Sequence, residues 1–209
     1  MAQVTLLDEP SCGLAAQHHI FTERADRLLH PTIATYLGPK HEFVITDIGC
    51  GNGIWAIEVA EKYPSAEVIG INISDAQFPP QCVSPRNCLF RRFDIMNPVA
   101  EEYVSRLDVV NIRLLGGPLA ERDFSPILEN ILQMLKPGGW VQWLDISSPP
   151  VGAYGTEKLE VKPAWRQPAA ITSQLPTIIE SVEWLSKLPP FLKRRGFIQI
   201  ETYDYPPQK

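Results

Sequence analysis

Long apolar runs are missing from this sequence. Nothing in it approaches the roughly 18 consecutive apolar residues that a membrane-spanning helix needs. No transmembrane helix is expected, and no membrane partner. The stretch MAQVTLLDEPSCGLAAQ has no basic start leading into an apolar core, so no secretory signal is read and a cytoplasmic protein is expected. Basic clusters are few. The densest are LFRRF at 89–93 and KRR at 193–195, in a chain of net charge −5. A nucleic-acid binder presents a basic face, so nucleic acid is not expected as a partner. Cysteine and histidine are scarce, with four of each. Cys12, Cys50, Cys82 and Cys88 form no C-x-x-C pair, and no histidines at zinc spacing accompany them. No metal site is read.

What is present is an ordinary globular composition, 44% hydrophobic and 21% charged over 209 residues, enough for one domain with a sizeable core. Residues 14–36 carry apolar positions at helical spacing, broken in two by Pro31. EFVITDIG at 42–49 reads as a buried strand rich in β-branched residues, and GIWAIEVAEKYP as a helix stopped before Pro64. AEVIGINIS, CLFRRFDI and LDVVNIRLL read as strands two to four, and WVQWLDIS as the fifth. SPILENILQMLKPGG reads as a helix with Ser125 as N-cap, Pro126 at the first helical position and Gly138–Gly139 as its end. A proline- and glycine-rich loop over 149–170, a helix in PTIIESVEWLSKL and a sixth strand in GFIQIETYDY complete the expectation. Paired prolines at 79–80, 149–150 and 189–190 are read as ends of regular elements.

Strands alternating with helices imply parallel strands joined by crossovers, an open α/β sheet. Ligands of such sheets bind at the carboxyl ends of the strands. Asp47 to Gly53, Asn72, Asp94 and Asn111 all fall at such ends. The loop DIGCGNG spaces its glycines as G-x-G-x-G. Ile54 stands where a dinucleotide fingerprint has its third glycine, and G-K-[ST] is absent. A bare backbone beside Asp47 suits a ligand without phosphate that carries a cationic amino acid part.

DIGCGNG, together with LKPGGWV before the fifth strand, resembles the class I S-adenosylmethionine-dependent methyltransferases. DIGCGNGIWAIEVAEKYPSAEVIGINIS, AQHHIF and LLHPTI further resemble the fungal branch tied to secondary metabolism. The resemblance covers about 17–205 and implies an open, mostly parallel Rossmann-like sheet with flanking helices. It implies one domain over 1–209, with 1–40 a helical cap over the active site and 41–209 the sheet core. S-adenosylmethionine would be the cofactor. Gly49, Gly51 and Gly53, with Cys50 between them, would lie under its methionine part and ribose. Asp47 would fix its amino group. Asn72, with Ile73 beside it, would meet the ribose hydroxyls. Asp94 would accept from the adenine amino group, Ile95 would pack on the ring, and Asn111 would face the sulfonium and methyl. His18 and His19, in the covering helices, are the candidate general bases. The implied reaction is methyl transfer to a small, natural-product-like acceptor. The aromatic residues Trp140, Trp143, Tyr154, Trp165, Trp184 and Phe191 serve equally as pocket lining or as core.

Two departures keep other classes open. Family members place Asp or Glu where this chain has Asn72, and an uncharged amide offers one acceptor in place of two. Only PPQK follows ETYDY, so the family's last strand has no counterpart. The alternatives are a methyltransferase-fold protein that catalyses cyclisation or rearrangement without methyl transfer, and a non-catalytic regulatory protein. An uncovered edge beside strand six also leads to the expectation of a homodimer.

Overall fold

The computed structural model describes residues 9–38, 42–115, 123, 125–145 and 188–203. Two compact units are distinguished. One comprises Met1–Arg113, Pro126–Trp143 and Thr202–Lys209, the other Leu114–Ser125 and Leu144–Glu201.

In the first unit, α1 (Glu9–Ala25) and α2 (Pro31–Leu37) precede the sheet. The break between them is the one expected from Pro31, which opens α2 where its missing N–H costs nothing. The sheet is built from β1 (Phe43–Ile48), β2 (Ala66–Asn72), β3 (Cys88–Arg92), β4 (Leu107–Arg113) and β5 (Leu135–Leu144). Its spatial order is β3-β2-β1-β4-β5. The pairs β1/β2, β1/β4 and β2/β3 are parallel, with Asp47 opposite Gly70 on one side and Asn111 on the other. Strand order therefore reverses between β1 and β4, and the carboxyl ends there form the ligand edge of an open sheet.

Parallel strands covered on both faces read as near-continuous apolar runs, and β1, β2 and β4 do so. Helix α3 (Ile54–Lys62) sets Trp55, Ala56, Val59 and Ala60 into a core shared with Leu29, Ile33, Leu37, Phe43, Ile45, Val68 and Val109. Its last carbonyls meet a side chain from the loop before β3. Asn87 Nδ2 lies 3.1 Å from the Ala60 carbonyl, 3.3 Å from Tyr63 and 3.0 Å from Ala66. Removing that amide leaves the helix end unsatisfied. Asn87→Ala should cost about 1–3 kcal/mol, read as a lower urea midpoint at unchanged slope.

The second crossover helix, α4 (Ser125–Met134), buries Ile127, Leu128, Ile131 and Met134. It ends before Gly138–Gly139, four residues earlier than its sequence suggests. Ser125, expected as its N-cap, is the first helical residue, and its N–H donates to Asp123 Oδ1 at 2.9 Å. Gly138 (φ +78°) and Gly139 belong instead to β5. A Cβ on Gly139 would sit 3.1 Å from the Asp108 carbonyl, so this glycine lets β5 approach β4. Asp108 is wholly buried. Its Oδ2 accepts from Lys136 Nζ at 2.6 Å and from the Val44 N–H at 3.0 Å, linking β1, β4 and β5. The LKPGG segment thus has a structural part of its own.

Other expectations need correction. The β2–β3 and β3–β4 crossovers carry no α-helix, only 3₁₀ turns at Gln81–Val83 and Glu101–Tyr103. In the second unit a helix runs over 188–194, through Pro189 and Pro190, where the paired prolines predict an end. Proline is tolerated in a first turn because its missing donor has no partner there anyway. Residues 196–203 carry no strand. Gln199 has φ +53° and Ile198 is 83% exposed, so among the described residues the alternating pattern of GFIQIETYDY pairs with no sheet. The loop over 149–170, the helix over 176–187 and Tyr154, Trp165 and Trp184 lie outside the described residues, while Trp140 and Trp143 are half-buried in β5. Among the described residues no helix is long and apolar enough to cross a membrane.

Candidate functional site

The chain leaves β1 through Gly49, Gly51 and Gly53, at φ +74°, +54° and +74°. Side chains rarely adopt these angles, which is the local reason for the alternating glycines. The Gly49 and Cys50 N–H groups both donate to the Ile71 carbonyl, at 2.8 and 3.1 Å, and fasten the loop to β2. Gly53 opens α3, its carbonyl accepting from the Ile57 N–H at 3.0 Å.

Protein side chains cover part of the bare backbone that was expected to lie under a ligand. A Cβ on Gly53 would lie 2.4 Å from Phe90 Cε1, and one on Gly51 3.1 Å from Leu14 Cδ1. Gly53 is therefore bare for an aromatic ring of β3, and Gly51 for a leucine of α1. Cys50 turns inward. Burial first, and then the Asp47 charge, push its thiol far above the usual range, so it is a core residue and not a nucleophile.

Asp47 is the electrostatic centre. It is 1% exposed. Burial raises its pKa to about 6, against the opposing pull of Arg113 and of a hydrogen bond from Asn111. Oδ1 accepts from Asn111 Nδ2 at 2.7 Å, while Oδ2 is buried with no hydrogen-bond partner among the described residues. Asn111 is itself wholly buried. Its Oδ1 accepts from Gln142 Nε2 at 3.0 Å, and Gln142 also holds the Leu28 carbonyl and the His30 N–H. In place of the direct face towards a ligand expected for it, Asn111 has both ends of its amide engaged and positions Asp47.

His18 and His19 separate. His19 is exposed, whereas His18 is 2% exposed. Arg113 Nη1 lies 3.0 Å from His18 Nδ1, and Glu58 Oε2 lies 3.0 Å from Nε2. A guanidinium only donates, so Nδ1 is the acceptor and Nε2 carries the proton given to Glu58. Burial and then Arg113 lower the His18 pKa against Glu58. The imidazole is neutral with both nitrogens used, which corrects its expected part as a free general base in this state. The ligand atoms of His18, His19 and Glu58 lie within 4.8 Å of one another, but the Arg113 cation on His18 opposes a metal ion there.

The remaining residues sit at the expected edge. Asn72 ends β2, with its Nδ2 donating to the Ser74 carbonyl at 2.8 Å. Ile73 is 61% exposed. Asp94 Oδ1 accepts from the Met96 N–H at 3.0 Å. Ile95 is buried, and its carbonyl accepts from Asn130 Nδ2 at 2.6 Å. Sequence reasoning missed Arg113, Glu58 and Leu14. The available signal was a cation inside VVNIRLL, where Asn111 is the one other polar residue.

Residues 45–139 match the family described as methyltransferase domain. They span the glycine loop, the reversal point and the LKPGG segment. Over that span the chain is similar to methyltransferase domains. The similarity extends to fungal proteins, among them one named for the regulation of secondary metabolism. The chain is similar to the methyltransferase grgD of a Penicillium species, with 32% identity over 145 residues covering 65% of this chain and 49% of that protein. It is also similar to the secondary metabolism regulator LAE1 of Hypocrea atroviridis, with 30% identity covering 68% of this chain and 39% of that one. The chain thus spans half or less of these relatives. Among solved structures, the Haemonchus contortus phosphoethanolamine N-methyltransferase 2 in complex with S-adenosyl-L-methionine shares the fold. It has a TM-score of 0.56 and 20% identity, over 81% of this chain and 36% of that one.

Proposed function

We propose that the chain binds S-adenosylmethionine between β1 and β4 and transfers its methyl group to a small, natural-product-like acceptor. The observation that carries this reading is Asp47 Oδ2, a buried carboxylate oxygen without a partner beside a left-handed glycine loop. An unpaired buried acceptor is costly unless a donor arrives. The ammonium of an amino acid moiety is such a donor. Gly49 and the main chain of the loop, Asn72 and Asp94 are the further residues proposed to hold the donor. S-adenosylmethionine supplies a methyl group already activated on a cationic sulfur. The protein's contribution is to orient the acceptor in line with it and to exclude water. The net charge of −5 supports a small acceptor over nucleic acid.

A second reading, a regulator or a catalyst without methyl transfer, is favoured by Leu14 lying on Gly51 and by the relative named as a regulator. Titration calorimetry with S-adenosylmethionine and its demethylated product, followed by transfer of a labelled methyl group to small-molecule and protein fractions, separates the two. Binding without turnover in either fraction would support the second reading.

Asn72→Asp supplies the charged acceptor that the family places there, at the loss of the hydrogen bond to Ser74. The demethylated product should then bind about 10-fold more tightly. An unchanged or weaker affinity would show that residue 72 does not meet the ribose.

A further inference from the structure

Two buried polar atoms on neighbouring strands lack partners among the described residues, and they are of opposite sense. Asp47 Oδ2, in β1, is an acceptor on an anion. Arg113 Nε, at the end of β4, is a donor on a cation. The two side chains feel each other electrostatically, each drawing the other towards its charged form. Asp47 pairs with Asn111 in the β1/β4 register, so Arg113 stands two residues further along, towards the carboxyl edge.

The guanidinium is held in place yet poorly matched. Its carbon lies 5.8 Å from the centre of the Trp55 ring, and Nη1 donates to the neutral Nδ1 of His18. A neutral ring nitrogen gives the cation no counter-charge, and burial disfavours the Arg113 charge. A carboxylate supplies that counter-charge and accepts from the guanidinium with two oxygens. A carboxylate arriving at the end of β4 would displace His18 and satisfy Nε.

We infer that Asp47 and Arg113 form a clamp for the two charges of an α-amino acid end, Asp47 taking the ammonium and Arg113 exchanging His18 for the carboxylate. This rests on the proposed binding of S-adenosylmethionine and assigns Arg113 a binding part that its sequence did not suggest. His18 then becomes the gate of the site. It belongs to α1, whose Leu14 lies on Gly51, and it stays tied to Glu58 of α3 when Arg113 is exchanged.

The test compares S-adenosylmethionine with decarboxylated S-adenosylmethionine, which keeps the ammonium, sulfonium and adenosine but lacks the carboxylate. Calorimetry on the full chain should give about 10- to 100-fold weaker binding of the decarboxylated compound. Arg113→Gln should bring the two affinities within about threefold by weakening only the carboxylated one. A second readout is the NMR titration of His18, which faces Glu58, His19 and Arg113. Its pKa should rise when the carboxylated ligand neutralises Arg113 and stay low with the decarboxylated one. Equal binding of both compounds by the parent protein overturns the clamp while leaving the cofactor assignment standing. A preference that survives in Arg113→Gln overturns the part given to Arg113. Binding of neither compound overturns the clamp and the cofactor assignment together. Should Arg113→Gln fail to fold, the parent's preference and the His18 titration decide the question alone.

Discussion

Asp47→Asn should make the protein more stable at neutral pH and at the same time remove most of its affinity for S-adenosylmethionine. The carboxyl is wholly buried, and its pKa stands at about 6 against an ordinary 3.8. The folded state therefore holds its proton more tightly than the unfolded chain does. Stability from this group falls as pH rises from about 4 through 6 and stays low above. The rise corresponds to roughly 3 kcal/mol at ~1.4 kcal/mol per tenfold. An amide of the same shape escapes that penalty and still accepts the bond from Asn111 Nδ2. Arg113 loses a counter-charge, which offsets part of the gain, so about 1–3 kcal/mol should remain at pH 7. The difference should vanish below about pH 4, where Asp47 is protonated in both states.

His18 imposes the opposite slope. Its pKa is lowered from 6.5, so the unfolded chain takes up the proton first and stability falls as pH drops below about 6.5. Through pH 4–6 the two groups oppose each other in the parent, and Asp47→Asn leaves His18 alone. Thermal melts across pH 4–8 should show a steeper acid loss in the variant. Its affinity for S-adenosylmethionine at pH 7 should fall about 10- to 150-fold, from loss of the charged acceptor. A melting point that drops would mean that Asp47 holds Arg113 more than burial penalises it. A raised melting point with undiminished affinity would remove Asp47 from the ligand.

The sheet was legible in the sequence because parallel strands buried on both faces leave unbroken apolar runs. VITDI, VIGIN and LDVVNIR needed no knowledge of their neighbours. The carboxyl edge of the sheet was legible for a related reason: Asp47, Asn72 and Asn111 are polar residues at or near the ends of such runs. What escaped depends on contacts between residues far apart in the chain. The glycines at 51 and 53 look like a ligand's bed, yet Leu14 and Phe90 lie on them, from 37 residues before and 37 after. Nothing local in DIGCGNG announces either. GFIQIETYDY has the alternation of a strand without a partner to pair with among the described residues, and periodicity alone cannot supply one. Arg113 could have been noticed as a cation in an apolar strand, but its link to His18 spans 95 positions.

Phe90 provides the sharpest packing test. Its ring sits in a notch made by two glycines. A Cβ on Gly53 would lie 2.4 Å from Cε1, and a Cβ on Gly70 2.5 Å from Cδ1. Both distances are far inside van der Waals contact, so either Ala substitution must displace the ring, at ~1–3 kcal/mol for an overpacked core. Gly53 carries an additional cost, because φ +74° is unfavourable for alanine by ~1–2 kcal/mol. Gly53→Ala should therefore destabilise by about 2–5 kcal/mol and Gly70→Ala by about 1–3. Combining each with Phe90→Leu separates the two causes, since a smaller side chain relieves overlap but leaves the backbone angle unchanged. In denaturant-based double-mutant cycles, Gly70→Ala should lose nearly all its cost in the Phe90→Leu background. Gly53→Ala should keep about 1–2 kcal/mol of its own. If Phe90→Leu rescues neither, the ring does not fill the notch, and the glycine loop is bare for another reason. That result would return Gly53 to the candidate ligand surface from which its contact with Phe90 now removes it.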